Sequence, residues 1–300
     1  MIGRVTQQTL QRSTLANLQL NLSKMSDLQA QMSSGKKITK PSDDPAGTAQ
    51  ALSLRAQNRA TTQYQRNAQD GEAWLTTIDT AMQTSVTTLR RVRDLVVQSG
   101  SGALNATGRE ALATEIEGLR DSLLGQANTS YLGRSVFAGS SNAGAAFRVD
   151  STTTPPTYTW TGSPDASVQR RLAPDTTVRA DADGSAFFGD GATSVFTMLD
   201  DIAAGLRAGT DVTSKLDDID TRTSSMLGEL SNVGTRTNQI KAAQSNNALA
   251  LQDVSTRLSG VEDIDLAQTV VELQMQEVAY KGALGATARV LQPTLMDFLR

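Results

Sequence analysis

The sequence predicts a mainly α protein: an elongated antiparallel helical bundle or coiled coil built from both ends of the chain, carrying a small β-rich insertion. Three observations predict it. Apolar residues recur at alternating three- and four-residue steps near both ends, the narrow seam of a helix that another helix must cover. A third run, from 212 to 261, keeps that step over fifteen positions, eleven of them apolar. Between these runs lie eight of the 12 aromatic residues, Tyr131 to Phe196, and four of the seven prolines, Pro155, Pro156, Pro164 and Pro174, a composition that excludes a long helix there.

The elements follow in order. The first seam runs through Leu15, Leu18, Leu22, Met25 and Met32, with Gln29 out of character. It stops at Ser33-Ser34-Gly35, where Gly suits a left-handed helix end. A basic loop, Lys36-Lys37-Ile38-Thr39-Lys40, leads to Pro41-Ser42-Asp43-Asp44-Pro45. Asp44 supplies a carboxylate for orphan backbone N–H groups and Pro45 fits the first helical position, so a helix is predicted over 45–98. Its apolar residues are Leu75, Ile78, Met82, Leu89, Val92 and Val96. Gly71 costs about 1 kcal/mol relative to Ala in mid-helix, so packing must hold the helix continuous there.

Thr107-Gly108-Arg109-Glu110 matches a capping box ahead of Leu112, Ile116, Leu119 and Leu123. Alternating runs such as Thr157-Tyr158-Thr159-Trp160-Thr161 and Thr177-Val178-Arg179 read as strands between turns. Phe147, Tyr158, Trp160, Phe187 and Phe188 are expected to give this segment a core of its own. Val195, Leu199, Ile202 and Leu206 mark a short helix ended by Gly209. The run over 212–261 predicts a helix of ~70 Å at ~1.5 Å per residue, with the 45–98 helix as its partner. Two of its polar exceptions, Gln244 and Asn247, leave two readings open: they set register, as buried polar residues do in coiled coils, or they face water. The last seam comprises Leu266, Val270, Leu273, Tyr280, Leu284, Leu291 and Phe298, broken at Glu277, Thr287 and Thr294. The expected division is 1–40 plus 262–300 as a terminal polymerisation domain, 41–139 plus 193–261 as a helical stem, and 140–192 as an outer β-rich insertion.

Composition favours assembly over chemistry. With no His and no Cys, the usual general base at neutral pH, the commonest zinc ligands and any thiol nucleophile are missing, and no cofactor is expected. A net charge of −3 gives no electrostatic case for nucleic acid. No apolar stretch approaches the ~20 residues that span a membrane. The first thirty residues lack the apolar centre of a secretory signal peptide, so export would use another route.

Several features carry a plain structural reading beside a functional one. Asp43 and Asp44 are a carboxylate pair on paper, but helix capping explains them. Arg90, Arg91 and Arg93 suit a solvated face with ion pairs at helical spacing. Asn21, Asn105 and Asn128 each open a glycosylation tripeptide. Asp150, Asp165, Asp175, Asp181, Asp183 and Asp190 crowd the insertion, where Asp is also a common turn former. Lys36, Lys37 and Lys40 are candidate contacts to a neighbour's acidic surface.

The run from Ser33 through Lys40-Pro41-Ser42-Asp43-Asp44-Pro45 to Gly47 closely resembles the N-terminal signature of the bacterial flagellin family. Asn67-Ala68-Gln69-Asp70-Gly71-Glu72-Ala73-Trp74-Leu75 and Leu95-Val96-Val97-Gln98-Ser99 are similar to its continuation. Three details favour the members that join hook to filament over those that form the filament: the Lys-Pro-Ser-Asp-Asp-Pro loop, Leu132-Gly133-Arg134-Ser135-Val136-Phe137-Ala138-Gly139, and the pair Ser259–Asp265 and Thr294–Leu299. The resemblance implies a structural, non-enzymatic subunit outside the cell, exported by the flagellar type III route. Its implied partners are copies of itself, another hook-associated protein on the hook side, flagellin on the filament side and a cytoplasmic chaperone at the C-terminal helix. Leu15, Leu18, Leu22, Met25, Met32, Leu266, Val270, Leu273, Tyr280, Leu284, Leu291, Leu295 and Phe298 would then be subunit-interface residues. The alternatives are a short flagellin and, from a different class, a secreted ligand-binding or hydrolytic protein.

Overall fold

A computed structural model of the chain describes residues 7–100, 104–153, 155–163 and 166–290. The elements are α1 (Gln7–Ser34), α2 (Pro45–Ser99), α3 (Ala106–Ala127), β1 (Ser130–Tyr131), β2 (Arg134–Ser135), β3 (Phe147–Asp150), β4 (Thr157–Trp160), β5 (Gln169–Ala173), β6 (Thr176–Arg179), α4 (Gly184–Phe188), α5 (Val195–Ala208), α6 (Leu216–Glu262) and α7 (Leu266–Val290). The fold is mainly α, with three separate two-stranded antiparallel sheets, β1–β2, β3–β4 and β5–β6. Two compact units divide the chain, residues 1–60 with 251–300 and residues 61–250; α2 and α6 contribute to both.

Local signals set most helix ends. Gly35 closes α1 with φ +69°. The Asp44 carboxylate accepts the Gly47 N–H at 2.9 Å where α2 begins. Ser194 caps α5 by accepting the Thr197 N–H at 3.2 Å, and Gly209 ends it with φ +73°. At α3 the capping box fails. Asn105 is the cap, accepting the Gly108 N–H at 2.8 Å, while Glu110 turns away to meet Arg207 of α5 at 3.0 Å.

Within the unit of residues 61–250, α2 and α6 run antiparallel. Arg93 pairs with Asp220 at 2.7 Å, and nearer the other end Gln244 donates to Glu72 at 2.7 Å. The seam of α6 is regular: Ile219, Met226, Val233, Ile240 and Asn247 are all buried at seven-residue steps, with half-buried residues between them. Gly71 lies against this seam. A Cβ there would sit 3.1 Å from the Ile240 terminal methyl, so close approach is what its helical penalty secures. The two open readings of the polar seam residues close here. Gln244 holds Glu72, and the buried Asn247 donates to the Leu172 carbonyl at 3.1 Å.

The insertion does not have a core of its own. Phe147, Tyr158 and Phe188 all pack on Phe196 of α5, with ring centres 5.2, 5.2 and 5.7 Å away, and these residues share one continuous hydrophobic core with α2, α3 and α6. The Tyr158 hydroxyl donates to Asp200 of α5 at 2.7 Å, and Arg120 of α3 grips the same carboxylate. Burial, and then that hydrogen bond, push the Tyr158 pKa upward. Hairpin β5–β6 is tied down as firmly. Asn67 of α2 donates to the Arg171 carbonyl at 2.9 Å, Asn247 of α6 holds the next carbonyl, and Arg170 pairs with Asp70 at 2.6 Å while lying over the Trp74 ring.

Four of the six aspartates hold structural tasks. Asp183 caps α4, Asp190 accepts the Trp160 N–H at 2.8 Å, and Asp150 closes a turn on Thr152. Buried Asp181 accepts from the Val168 N–H and from Arg179. Asp175 is exposed at the β5–β6 turn, and Asp165 lies outside the described residues. The three glycosylation asparagines are also occupied: Asn105 caps α3, Asn128 exchanges hydrogen bonds with the Phe147 backbone, and Asn21 accepts from Gln276 at 3.2 Å.

Because Phe196 joins the insertion to the helices, Phe196→Ala should lower stability by about 3–5 kcal/mol. At ~2–4 °C per kcal/mol for a domain of this size, the melting temperature should fall by roughly 10 °C. Circular dichroism melting checks it; an unchanged melt would mean that the aromatic cluster stands apart from the bundle after all.

Candidate subunit-packing surface

The unit of residues 1–60 and 251–300 is built differently from the rest. Gln276 of α7 donates to the Asn21 side chain and carbonyl at 3.2 Å, and Ile264 donates its N–H to the Gly35 carbonyl at 3.2 Å. As numbers rise in one helix they fall in the other, so α1 and α7 pack antiparallel. The half-buried stripe on α1 is Thr14, Leu18, Asn21, Met25, Leu28 and Met32; on α7 it is Thr269, Leu273, Gln276, Tyr280, Ala283 and Thr287, of which Thr269 and Thr287 are buried. Both stripes keep the coiled-coil step, but much of the chemistry along them is polar.

This pairing covers only part of the predicted interface set. Leu18, Met25, Met32, Val270, Leu273 and Tyr280 are half-buried. Leu15, Leu22, Leu266 and Leu284 stay exposed, at 56%, 48%, 59% and 44%. Leu20, Val271, Met275 and Val278 join them on the surface, residues that the single-seam reading left out. Leu291, Leu295 and Phe298 lie outside the described residues. A pair of helices with apolar residues on more than one face satisfies one face with its partner and leaves the others open.

At the two helix breaks the chain is stitched together by charge. Lys36 and Asp263 form an isolated antiparallel bridge, reinforced by the Lys37 N–H donating to the Glu262 carbonyl at 2.5 Å. The Lys36 ammonium lies 3.2 Å from Glu262 and 2.7 Å from Asp263, and Arg55 of α2 reaches Glu262 at 2.8 Å. Glu262 is only 3% exposed. Burial alone would raise its pKa, but the hydrogen bonds from Arg55 and Lys36 outweigh burial and hold it below the usual range. Lys36, and then Ser259, lower Asp263 likewise. Of the three candidate loop contacts, Lys36 is thus engaged within the chain; Lys37 and Lys40 are exposed and form no ion pair with a described residue. Sequence reasoning missed Glu262 and Arg55, whose only signal was opposite charge near two helix breaks far apart in the chain.

The chain is similar to known proteins. The family model for the bacterial flagellin N-terminal helical region matches residues 5–142. Flagellar hook-associated protein 3 of Escherichia coli K12 is 26% identical, over 85% of this chain and 87% of that protein. The protein of the same name from Salmonella typhimurium LT2 is 29% identical, but the match spans 48% of this chain and 46% of that protein. Among solved structures, hook-associated protein 3 of Legionella pneumophila aligns with a TM-score of 0.62 at 15% identity, over 69% of this chain and 98% of that one, which is a likeness of fold.

The charge stitch predicts an acid response. Both carboxylates titrate lower in the folded chain than unfolded, so their contribution is complete above the unfolded values and is lost as pH falls through the folded ones. Protection of the Ile264 amide against hydrogen exchange should therefore hold from pH 7 to about 5 and drop below about 4, the ordinary carboxylate range. In Glu262→Gln it should be reduced already at pH 7. An Ile264 amide equally protected in both proteins would sink this account.

Proposed function

We propose that the chain is a member of the bacterial flagellin family and a subunit of the junction between flagellar hook and filament. The observation that carries this is the open apolar surface of α1 and α7. Helices this long, with so little buried between them, draw stability from packing rather than propensity, and identical neighbours in a ring supply that packing. The similarity to hook-associated protein 3 over most of both chains supports the junction over the filament.

In this reading residues 1–40 and 262–300 form the polymerising part, residues 41–139 and 193–261 a helical stem, and 140–192 a β-rich insertion. The seam residues from Leu15 to Met32 and from Leu266 to Phe298 meet neighbouring subunits, and Lys37 and Lys40 reach acidic groups on them. One end of the ring contacts a hook-side protein and the other flagellin. Export runs through the flagellar type III channel, with a cytoplasmic chaperone covering the C-terminal helix beforehand. The chain acts by shape and packing, without catalysis, so that a flexible joint meets a stiff propeller.

Leu284→Asp tests this directly. A carboxylate forced into a packed helix seam without a partner costs several kcal/mol, whereas in the isolated chain Leu284 is exposed and the melt should barely move. Cells carrying the variant should build hooks and shed flagellin as monomer. Immunogold against the parent chain should mark a spot at the hook tip; label along the whole filament would place the protein in the filament instead.

A further inference from the structure

Hairpin β1–β2 ends in a turn that breaks two rules at one residue. Leu132 has φ +50° and Gly133 φ +77°, the pair of positive values of a tight hairpin turn that favours Asn, Asp and Gly. Leu132 is the one described residue other than Gly in that region, and its side chain is 77% exposed. The turn is held from below: Tyr131 packs edge-on against the buried Trp74, ring centres 5.4 Å apart, and Ser130 pairs with Ser135. A stiffly mounted apolar tip, unfavourable in both backbone and solvation, is the kind of local conflict that marks a functional position.

The same unit carries a hole. Leu172, Thr177 and Val178 of hairpin β5–β6 and Ala242, Ala243 and Asn246 of α6 line an open groove of ≈ 490 Å³, with no ionisable side chain in its lining. It lies at the level of the knob along α2. Trp74, which touches Tyr131, also lies under Arg170 of β5 at 5.8 Å, two residues before Leu172. Charge matches as well. Arg134, two residues after the knob, is exposed; Asp175, at the hairpin tip between groove residues, is exposed and forms no ion pair with a described residue. The unit thus carries an apolar tip beside a cation and, separately, an uncharged groove beside an anion.

We propose that Leu132 of one subunit seats in the α6–hairpin groove of the next copy of this chain, with Arg134 paired to Asp175 across the contact. Two different complementary patches at one level make a head-to-tail interface, the kind that closes into a ring when the rotation allows. This rests on the junction reading and adds to it a lateral contact outside α1 and α7.

Leu132→Asn separates the contact from the fold, because Asn adopts the left-handed turn more readily than Leu. The purified variant should melt at or above the parent's temperature, yet most cells should lose their filaments in viscous medium. Filaments retained as in the parent would overturn the proposal. Should the variant melt lower, the charge pair decides: Arg134→Asp and Asp175→Arg should each cause the loss and together restore the filaments, and absence of restoration would refute the contact. Since the chain has no Cys, Leu132→Cys with Ala242→Cys should give oxidised dimers and larger ladders from isolated flagella, while either single variant stays free of that product. Flagella labelled at the hook tip but yielding only monomer refute the knob-in-groove contact and leave the junction reading standing. Label along the filament refutes the junction reading, and the cross-link still reports on the contact.

Discussion

The seven-residue seam of α6 is the constraint on which the rest of the 61–250 unit depends. Ile219, Met226, Val233, Ile240 and Asn247 are buried one above another, which fixes the rotation of α6 against α2 and so fixes what each helix presents elsewhere. Ile240 comes close enough to α2 that a Cβ at Gly71 would crowd its terminal methyl at 3.1 Å. That close approach lets Arg170 lie along the same stretch, between Asp70 and the Trp74 ring. A slip of one residue in the seam would remove Asn247 from the Leu172 carbonyl and Gln244 from Glu72 together. Register and hairpin placement are therefore one decision.

Polar groups complete what the seam begins. Asn67 and Asn247 take successive carbonyls of β5 from two different helices, a backbone edge that would otherwise be left for another chain. Asp200 collects Tyr158 and Arg120, joining a strand and two helices at one carboxylate. Asp181 is buried but meets the Val168 N–H and the Arg179 guanidinium, the partners that a buried charge requires. These clasps are specific in direction, so they orient small sheets too short to stand alone.

Long-period features were legible in the sequence and short polar ones were not. The steps of α6, the Asp44-Pro45 start of α2 and the Gly209 end of α5 follow from local chemistry and stand as read. The capping box at Thr107 was a fair local reading, overturned because Glu110 has a better partner in Arg207, 97 residues away. The separate core of the insertion failed for the same reason. Phe147 and Tyr158 look self-sufficient in sequence, but their nearest large neighbour is Phe196, and aromatic packing carries no sequence signal of its partner. The seams of α1 and α7 were found, with their facing stripes displaced: Leu15 and Leu22 were expected on one line with Leu18 and Met25, whereas Thr14 and Asn21 occupy that line.

That displacement has a physical meaning. If α1 and α7 buried their best apolar residues against each other, the pair would be a finished hairpin with little reason to associate. Instead the line between them carries Thr14, Asn21, Thr269, Gln276 and Thr287, while Leu15, Leu22, Leu266 and Leu284 are held outward. The intramolecular contact is then strong enough to align the helices, and the charge stitch at Glu262 keeps their shared end in place. On the proposed junction reading, the larger hydrophobic gain comes from contact with other chains, where each copy that joins stabilises the folded form of its neighbours by mass action. A subunit built this way, on that same proposed reading, presents an aligned helix pair whose outward apolar residues are left for its neighbours.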